Sequence, residues 1–208
     1  MQETIFTVGH STHNLDHFLG LLEAHRVTAL CDVRSKPYSR TNPQFNREDL
    51  KWVLAEHGIA YVFLGKELGA RSEDPDCYED GKVQYERLAR TELFRDGLDR
   101  VREGAKRFRI ALMCAEKEPL DCHRTILVAR HLEGLGLRVA HIHSDGRLET
   151  HDDAIERLCR SIGLPNQDMF RTHSDIVEDA YRIRGAQIAY DRSEAAVRAG
   201  LPMKRAAG

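Results

Sequence analysis

The sequence predicts an α/β fold, a three-layer open sheet of about five mostly parallel strands with helices on both faces and further helices at the C-terminal end. Short apolar runs alternate along the chain with stretches of helical period, and this alternation is typical of β-α-β units. The length of 208 residues and the apolar content of 41% are sufficient for one domain with a substantial core. The strands are therefore expected to be buried on both faces.

Five apolar runs are predicted to form the strands, because each is short and is bounded by polar or turn residues. They span residues 4–8, 28–33, 59–64, 108–114 and 137–143. Two polar segments that contain proline, 34–46 and 65–81, are expected to be long loops without regular structure. Loops of this length in a compact domain are usually functional or disordered.

The helices are predicted from apolar spacing and from capping residues. Leu15 and Phe18 begin a series at helical spacing. Asn46, Thr150 and Ser174 precede helical stretches and are predicted N-caps. The predicted helices span residues 14–26, 46–57, 82–94 with an extension towards 106, 119–134, a stretch that starts after 150, and 174–190.

The chain is expected to divide into three parts. An α/β domain is predicted over residues 1–165, and a C-terminal helical extension packed on it over 166–191. Residues 192–208 are basic and rich in small residues, so a flexible tail is predicted there.

Charge and composition exclude several classes of function. The net charge of -2 gives no global reason to expect binding to nucleic acid or to an anionic membrane. No apolar stretch approaches the roughly 18 residues of a membrane helix, and the N-terminus resembles no secretory signal. The five cysteines lack the spacing of a disulfide framework. These features predict a protein of the reducing cytoplasm without a membrane partner.

Reactive side chains follow three of the predicted strands. His10 and Ser11 come after the first strand, Arg34 and Arg40 come after the second, and the segment RIALMCAEKEPLDCHRTILVAR crosses from the fourth strand into a helix. Right-handed crossovers place all strand-to-helix turns at one edge of a parallel sheet. The sequence therefore predicts a site at the carboxyl edge of the sheet.

An anion pocket is the first interpretation of that site. Pro119 suits the first position of a helix, which places Arg124 near an N-terminus whose backbone N–H groups favour an anion. The alternative is that the arginines pair with Asp32, Glu116 or Glu118, because structural ion pairs often resemble sites. The predicted anion-binding residues offer N–H or hydroxyl donors and are Gly9, Ser11, Arg34, Arg40 and Arg124.

Three titratable residues of the same turns are candidates for proton transfer: His10, Glu116 and His123. The alternative for His10 is that it fixes the turn through hydrogen bonds. His141 and His143 alternate on the fifth strand and share a face. They are interpreted either as metal ligands or as polar residues at a sheet edge, and the second role is the commoner one for histidines.

Cys114, Cys122 and His123 resemble part of a zinc site, but the chain has no C-x-x-C pair and lacks the spacing of a finger or ribbon. No metal is therefore favoured, and a metal or thiol site at these three residues is an alternative. The spacing from Cys114 to Arg124 also differs from the compact cysteine-to-arginine loop of tyrosine phosphatases. No cofactor can be assigned from the sequence.

Four blocks, TVGHS, DVRSKPYSR, LGKELG and MCAEKEPLDCHR, occur in this order between Thr7 and Gly146. They resemble the signature blocks of the domain-of-unknown-function family number 488, and AYRIRGAQIAY near the C-terminus is similar to family members as well. The resemblance implies no activity. The site that it implies consists of Gly9, His10, Ser11, Asp32, Arg34, Pro37, Cys114, Glu116, Cys122, His123 and Arg124.

Three hypotheses for the function follow. The leading one is a small cytoplasmic enzyme that binds an anionic substrate, such as a nucleotide or a nucleic-acid phosphate, and moves protons with the histidines and the glutamate named above. The second is a non-catalytic module for nucleic acid or a small effector, which would use the arginine-rich loop and the basic tail of Arg198, Lys204 and Arg205. The third is the metal or thiol site.

Overall fold

The computed structural model describes residues 3–165 and 170–193. The strands, in chain order, are Thr4–Gly9 (β1), Ala29–Asp32 (β2), Ala60–Phe63 (β3), Tyr78–Glu79 (β4), Lys82–Val83 (β5), Ile110–Cys114 (β6), Arg138–Ile142 (β7) and Leu148–Thr150 (β8). The α-helices are Leu15–Ala24 (α1), Arg47–Glu56 (α2), Tyr85–Ala89 (α3), Glu92–Ala105 (α4), Arg130–Gly134 (α5), His151–Ser161 (α6) and His173–Ile188 (α7). A π-helical turn, Arg124–Ala129, leads into α5, and short 3₁₀ turns cover Pro43–Phe45, Pro75–Cys77 and Pro119–Asp121.

The main sheet has six strands in the order β3-β2-β6-β1-β7-β8. All neighbours are parallel except β8, which pairs antiparallel with β7. The five predicted strands are therefore confirmed, and β8 is an additional strand. It is only three residues long and follows a turn, so it carries too few residues for a recognisable period.

Two layers of helices cover this sheet, which confirms the predicted three-layer fold. On one face Phe6, Leu30 and Ala111 share a core with Phe18 of α1 and Leu54 of α2. The opposite face of the sheet forms a second core with residues of α4, the π turn and α5; among its members are Ile5, Leu112, Phe94, Leu127 and Leu132.

Two local predictions were wrong, and a third was right in position only. Lys82 and Val83 pair with Tyr78 and Glu79 in a small hairpin and do not begin a helix. Asn46 is the N-cap residue of α2, as predicted, but its side chain makes no capping hydrogen bond, because its amide oxygen accepts from the Ser39 N–H at 2.7 Å. The last helix is capped two residues earlier than Ser174, because the Thr172 hydroxyl accepts from the Asp175 N–H and the Asp175 carboxylate accepts from the Thr172 N–H.

The predicted single helix over 119–134 is also wrong at its start. Pro119 opens a 3₁₀ turn that ends at Asp121. Cys122 then has an extended backbone, with φ -134° and ψ 139°, and helical geometry begins at His123, with φ -59° and ψ -25°. The continuous hydrophobic pattern that follows Pro119 concealed this break.

The C-terminal helix α7 packs on α6 and on the π turn through an apolar cluster that includes Ile126, Leu158, Ile176 and Ala180. Of the predicted tail, Arg192 is described and lies over the ring of Tyr78, with its guanidinium carbon 3.4 Å from the ring centre. Residues 194–208, and with them the basic residues proposed for nucleic-acid binding, lie outside the described part of the chain.

None of the described helices combines the length and the apolar character that crossing a membrane requires.

A buried chain of hydrogen bonds links the sheet to α7. The Thr7 hydroxyl lies 2.8 Å from His141 Nδ1, His141 Nε2 lies 3.1 Å from His151 Nδ1, and His151 Nε2 lies 2.7 Å from the Tyr181 hydroxyl. His141 thus lies on an inner strand of the sheet, and among the described residues it belongs to no group of three or more potential metal ligands. His143 instead lies against Glu149, with Nε2 at 2.8 Å from the carboxylate. Burial lowers the pKa of His151 to about 4.

The buried His151 should make the fold sensitive to acid. Its pKa is below the unfolded value of 6.5, so its stabilising contribution is complete above pH 6.5 and is lost as the pH falls towards 4. The loss should reach roughly 3 kcal/mol. His151→Gln should flatten the decline of the unfolding free energy between these pH values, as measured by urea titration at each pH. The exposed His173, replaced in the same way, is the control, and equal slopes in the His151 variant and the wild type would contradict the prediction.

Candidate functional site

The strand order places the turns after β1, β2 and β6 side by side at the carboxyl edge of the sheet, because β6 lies between β1 and β2. Backbone hydrogen bonds continue the pairing into the turns. The His10 N–H donates to the Cys114 carbonyl at 2.9 Å, and the Val33 N–H donates to the Met113 carbonyl at 3.1 Å. The residues that follow the three strands therefore form one continuous region.

A buried ion pair lies at the centre of this region. Arg34 donates from Nε and Nη2 to the two carboxylate oxygens of Asp32, at 2.9 and 2.6 Å. Nη2 also donates to the Phe45 carbonyl at 2.8 Å, and the Tyr61 hydroxyl donates to Asp32 at 2.7 Å. Arg34 is 5% exposed and Asp32 is fully buried. The alternative in which Arg34 pairs with Asp32 is therefore what the structure shows for this arginine.

His10 is held in one orientation beside that pair. Its Nδ1 lies 2.9 Å from the Ser11 carbonyl, and its Nε2 accepts from Arg34 Nη1 at 3.1 Å. Its ring stacks on Phe45 with centroids 4.4 Å apart. Burial, together with the charge of Arg34, lowers the pKa of His10 to about 4. His10 is consequently neutral near pH 7, and the nitrogen that could accept a proton is already hydrogen bonded.

Arg124 holds the loop after β6 in place through hydrogen bonds. It is fully buried and donates to the carbonyls of Glu116 at 2.7 Å and Lys117 at 3.3 Å. A Cβ at Gly9 would lie 1.9 Å from the Glu116 carbonyl oxygen, so only glycine permits this close approach. Gly9 and Arg124 thus shape the loop around Glu116 and are not turned to an open pocket.

Two further residues of the predicted anion site are placed differently from expectation. The Ser11 N–H donates to the Ala115 carbonyl at 2.9 Å, and Ser11 has a left-handed backbone with φ 48°. Arg40 is exposed on the loop after β2 and does not line the cavity described below.

Cys114, Cys122 and His123 come together although they are separated in sequence. Cys114 ends β6, and the loop 115–121 returns the chain so that Cys122 and His123 lie beside it. His123 Nδ1 lies 3.7 Å from Cys114 Sγ and 3.8 Å from Cys122 Sγ. The Cys122 thiol donates to the carboxylate of Glu116 at 2.9 Å. The five cysteines of the chain are all free thiols.

The surroundings of the two thiols give them opposite acidities. The hydrogen bond to Cys122, and then burial, raise the pKa of Cys114 well above its usual value. Burial would also raise the pKa of Cys122, but the hydrogen bond from Cys114 and the charges of Arg124 and His123 outweigh it, and the pKa lies well below the usual value. Cys122 is therefore the more acidic of the two thiols.

The pKa values of Glu116 and His123 both depend on their contact with Cys122. Glu116 is exposed as a residue, yet its carboxylate turns inward to the buried Cys122 thiol. Desolvation of the carboxylate and the negative charge of Cys122 raise the pKa of Glu116. Burial would lower the pKa of His123, but its hydrogen bond to Cys122 and the charge there raise it overall. A carboxyl group and an imidazole that can both hold a proton thus flank the thiols.

A cavity of about 230 Å³ opens above this cluster. Its lining includes Cys114, Glu116 and His123 of this cluster. It also includes three cationic residues, Arg34, Lys36 and Arg71. Its remaining wall includes the aromatic residues Tyr85 and Tyr190.

Reasoning from the sequence placed Lys36, in the turn after the second strand, at this edge of the sheet, but it did not identify Arg71 as a site residue. Arg71 lies within the LGKELGAR stretch after β3, and the rule that all strand-to-helix turns share one edge would have pointed to it. Tyr190 follows α7, and no sequence pattern connects it with the sheet.

Replacing Asp32 with asparagine should destabilise the fold by roughly 3–5 kcal/mol, because the Arg34 guanidinium would stay buried without its counter-charge. Tyr61→Phe removes a single hydrogen bond to the same carboxylate and should cost about 1 kcal/mol. Urea unfolding followed by circular dichroism measures both costs. An Asp32→Asn cost below about 1 kcal/mol, the range of exposed pairs, would show that water screens this ion pair.

Comparison with known proteins identifies a family and no function. The model of the family described as "Domain of unknown function DUF488" matches residues 14–131, and no curated protein and no solved structure matches the chain. The matched segment includes more than half of the 208 residues and contains Asp32, Arg34, Cys114, Cys122 and His123. The chain belongs to the DUF488 family.

Proposed function

We propose that the protein is an enzyme that binds a small anionic, phosphate-bearing molecule in the cavity and acts on it with the groups that line the cavity from below. The observation that carries the proposal is the combination of lining groups. Two cationic side chains that form no ion pair among the described residues, Lys36 and Arg71, share one cavity with a thiol, an imidazole and two carboxyl groups, and one of these carboxyl groups, that of Asp121, pairs with Arg184. Perturbed titratable groups beside a pocket are typical of active sites.

Lys36 and Arg71 are the best candidates to bind the anion. Arg34 is already neutralised by Asp32, whereas Lys36 and Arg71 are exposed and form no ion pair among the described residues. Arg71 lies over the ring of Tyr190, 4.5 Å from its centre. A guanidinium stacked in this way keeps the edge of its plane available for the forked hydrogen bonds that phosphate and carboxylate accept.

The cavity size favours a small ligand. A volume of about 230 Å³ is below the roughly 300–1,000 Å³ that is usual for pockets of drug-sized ligands. A phosphate monoester with a short organic group fits this size better than a whole nucleotide or a nucleic-acid duplex. The proposed class of ligands is therefore smaller than the one suggested by the sequence alone, which included nucleotides and nucleic-acid phosphates.

Glu116 is the proposed general acid or base. Its carboxylate lines the cavity, and its raised pKa brings proton exchange closer to neutral pH, where acid–base catalysis is most efficient. His123 contacts both sulfurs through Nδ1, and its proposed effect on the ligand is indirect, through these two thiols. His10 is assigned to positioning, because it holds Arg34 Nη1 and has no free acceptor nitrogen.

Binding of inorganic phosphate and of small phosphate monoesters, measured by isothermal titration calorimetry, tests the proposal. Lys36→Ala and Arg71→Ala should each weaken binding by about tenfold, because each removes a charged hydrogen-bond donor. Lys51→Ala changes an exposed lysine of α2 that does not line the cavity, so it should leave the affinity unchanged. The proposed anion site would be overturned if the wild type bound no phosphate. It would also be overturned if a variant carrying both Lys36→Ala and Arg71→Ala bound phosphate as tightly as the wild type.

A further inference from the structure

We propose that Cys114, Cys122 and His123 bind one divalent metal ion of the zinc type at the base of the cavity. The possible ligand atoms of these three buried residues all lie within 4.8 Å of one another. The inference deepens the proposed function and rests on it for the role of the ion, whereas the binding of the ion itself depends only on these three side chains and their surroundings.

The distances already approach those of a metal centre. With bonds of about 2.3 Å to sulfur and about 2.0 Å to nitrogen, a tetrahedral zinc ion holds a sulfur and a nitrogen ligand about 3.6 Å apart. The distances from His123 Nδ1 to the two sulfurs are 3.7 and 3.8 Å. The two distances from nitrogen to sulfur therefore need to shorten by only a few tenths of an ångström, and the two sulfurs lie within 4.8 Å of each other.

His123 is oriented as a metal ligand requires. Its Nε2 lies 3.1 Å from the Val33 carbonyl oxygen, and since a carbonyl can only accept, the proton is on Nε2. In the neutral imidazole the lone pair of Nδ1 then points to the two sulfurs. A metal-bound histidine is usually fixed in this way, with its second nitrogen donating to a carbonyl or a carboxylate.

The sulfur of Cys122 lies in surroundings that favour a thiolate ligand. The backbone N–H of Arg124 donates to Cys122 Sγ at 3.5 Å, and Cys122 immediately precedes the helix that begins at His123. Free N–H groups and the dipole at a helix N-terminus stabilise negative charge. Two thiolates also balance the two positive charges of the ion, so the centre adds no net charge to the interior. Thiolate and imidazole ligands together select zinc over magnesium or calcium.

The three ligands leave a fourth position that faces the cavity. Cys114 and His123 line the cavity, whereas Cys122 does not. Three protein ligands and one open position are the arrangement of catalytic zinc, and four protein ligands that of structural zinc. An ion here would polarise an oxygen of a bound anion or water, and Glu116, whose carboxylate lies 2.9 Å from Cys122 Sγ, would be next to it. On binding, the two thiol protons leave the sulfurs and are released to Glu116 or to solvent.

Metal analysis of the purified protein tests the inference without any anion. The full chain, treated with a chelator and then titrated with Co²⁺, should bind about one ion per chain and show the sulfur-to-cobalt charge-transfer bands of thiolate ligation. Zinc should displace the cobalt and abolish these bands. Cys114→Ser, Cys122→Ser and His123→Ala should each lower the affinity by about tenfold or more, and Cys159→Ser, which changes a buried cysteine of α6, should leave it unchanged.

The Co²⁺ titration of the wild-type protein tests the inference even if a variant fails to fold. Absence of charge-transfer bands in the wild type would overturn it, and so would unchanged binding in a folded Cys122→Ser variant. The two proposals fail separately. Metal binding without phosphate binding would overturn the anion site alone, and phosphate binding by a protein that takes up neither zinc nor cobalt would overturn the metal site alone.

Discussion

The position of β6 between β1 and β2 is the constraint on which the whole site depends. The chain leaves β1 and skips one position before it forms β2, and β6 later fills the gap. Parallel pairing then continues beyond the strands, as the hydrogen bond from His10 N–H to the Cys114 carbonyl shows. Residues 10, 34 and 114, which are distant in sequence, become neighbours because their strands are hydrogen bonded side by side.

Burial of charge determines what each residue of this edge can do. Arg34 and Asp32 are buried, where an unpaired charge would be costly, and they satisfy each other through two hydrogen bonds. Arg124 is satisfied by loop carbonyls instead. The two most conspicuous arginines of the sequence are thus engaged within the protein, and the cations that remain available to a ligand, Lys36 and Arg71, lie at the surface.

The predictable and unpredictable parts of this molecule differ in the kind of information they need. Short apolar runs were sufficient for the five parallel strands, and the helical spacing of apolar residues for helices such as α1, because burial leaves a local pattern in each case. Local pattern also indicated which three turns carry reactive residues. It did not reveal that Arg124 points inward, because an arginine that donates to carbonyls and one that binds an anion have the same sequence context. The sequence offered Cys114, Cys122 and His123 only as an alternative metal or thiol site, because their spacing matches no known metal motif. The return of the loop after β6 is what brings the three side chains together.

The irregular start of the helix after Cys122 belongs to the site. In a continuous α-helix, side chains of adjacent residues diverge by about 100° around the axis, so Cys122 and His123 could not both face Cys114. The extended backbone of Cys122 and the helical backbone of His123 turn both side chains to the same point. The π-helical turn that follows buries all six of its residues, and π turns of this kind are frequent at functional sites. A regular helix from Pro119 would satisfy the hydrophobic pattern equally well, and it would separate the sulfur and nitrogen atoms that the observed geometry brings within 4 Å of each other.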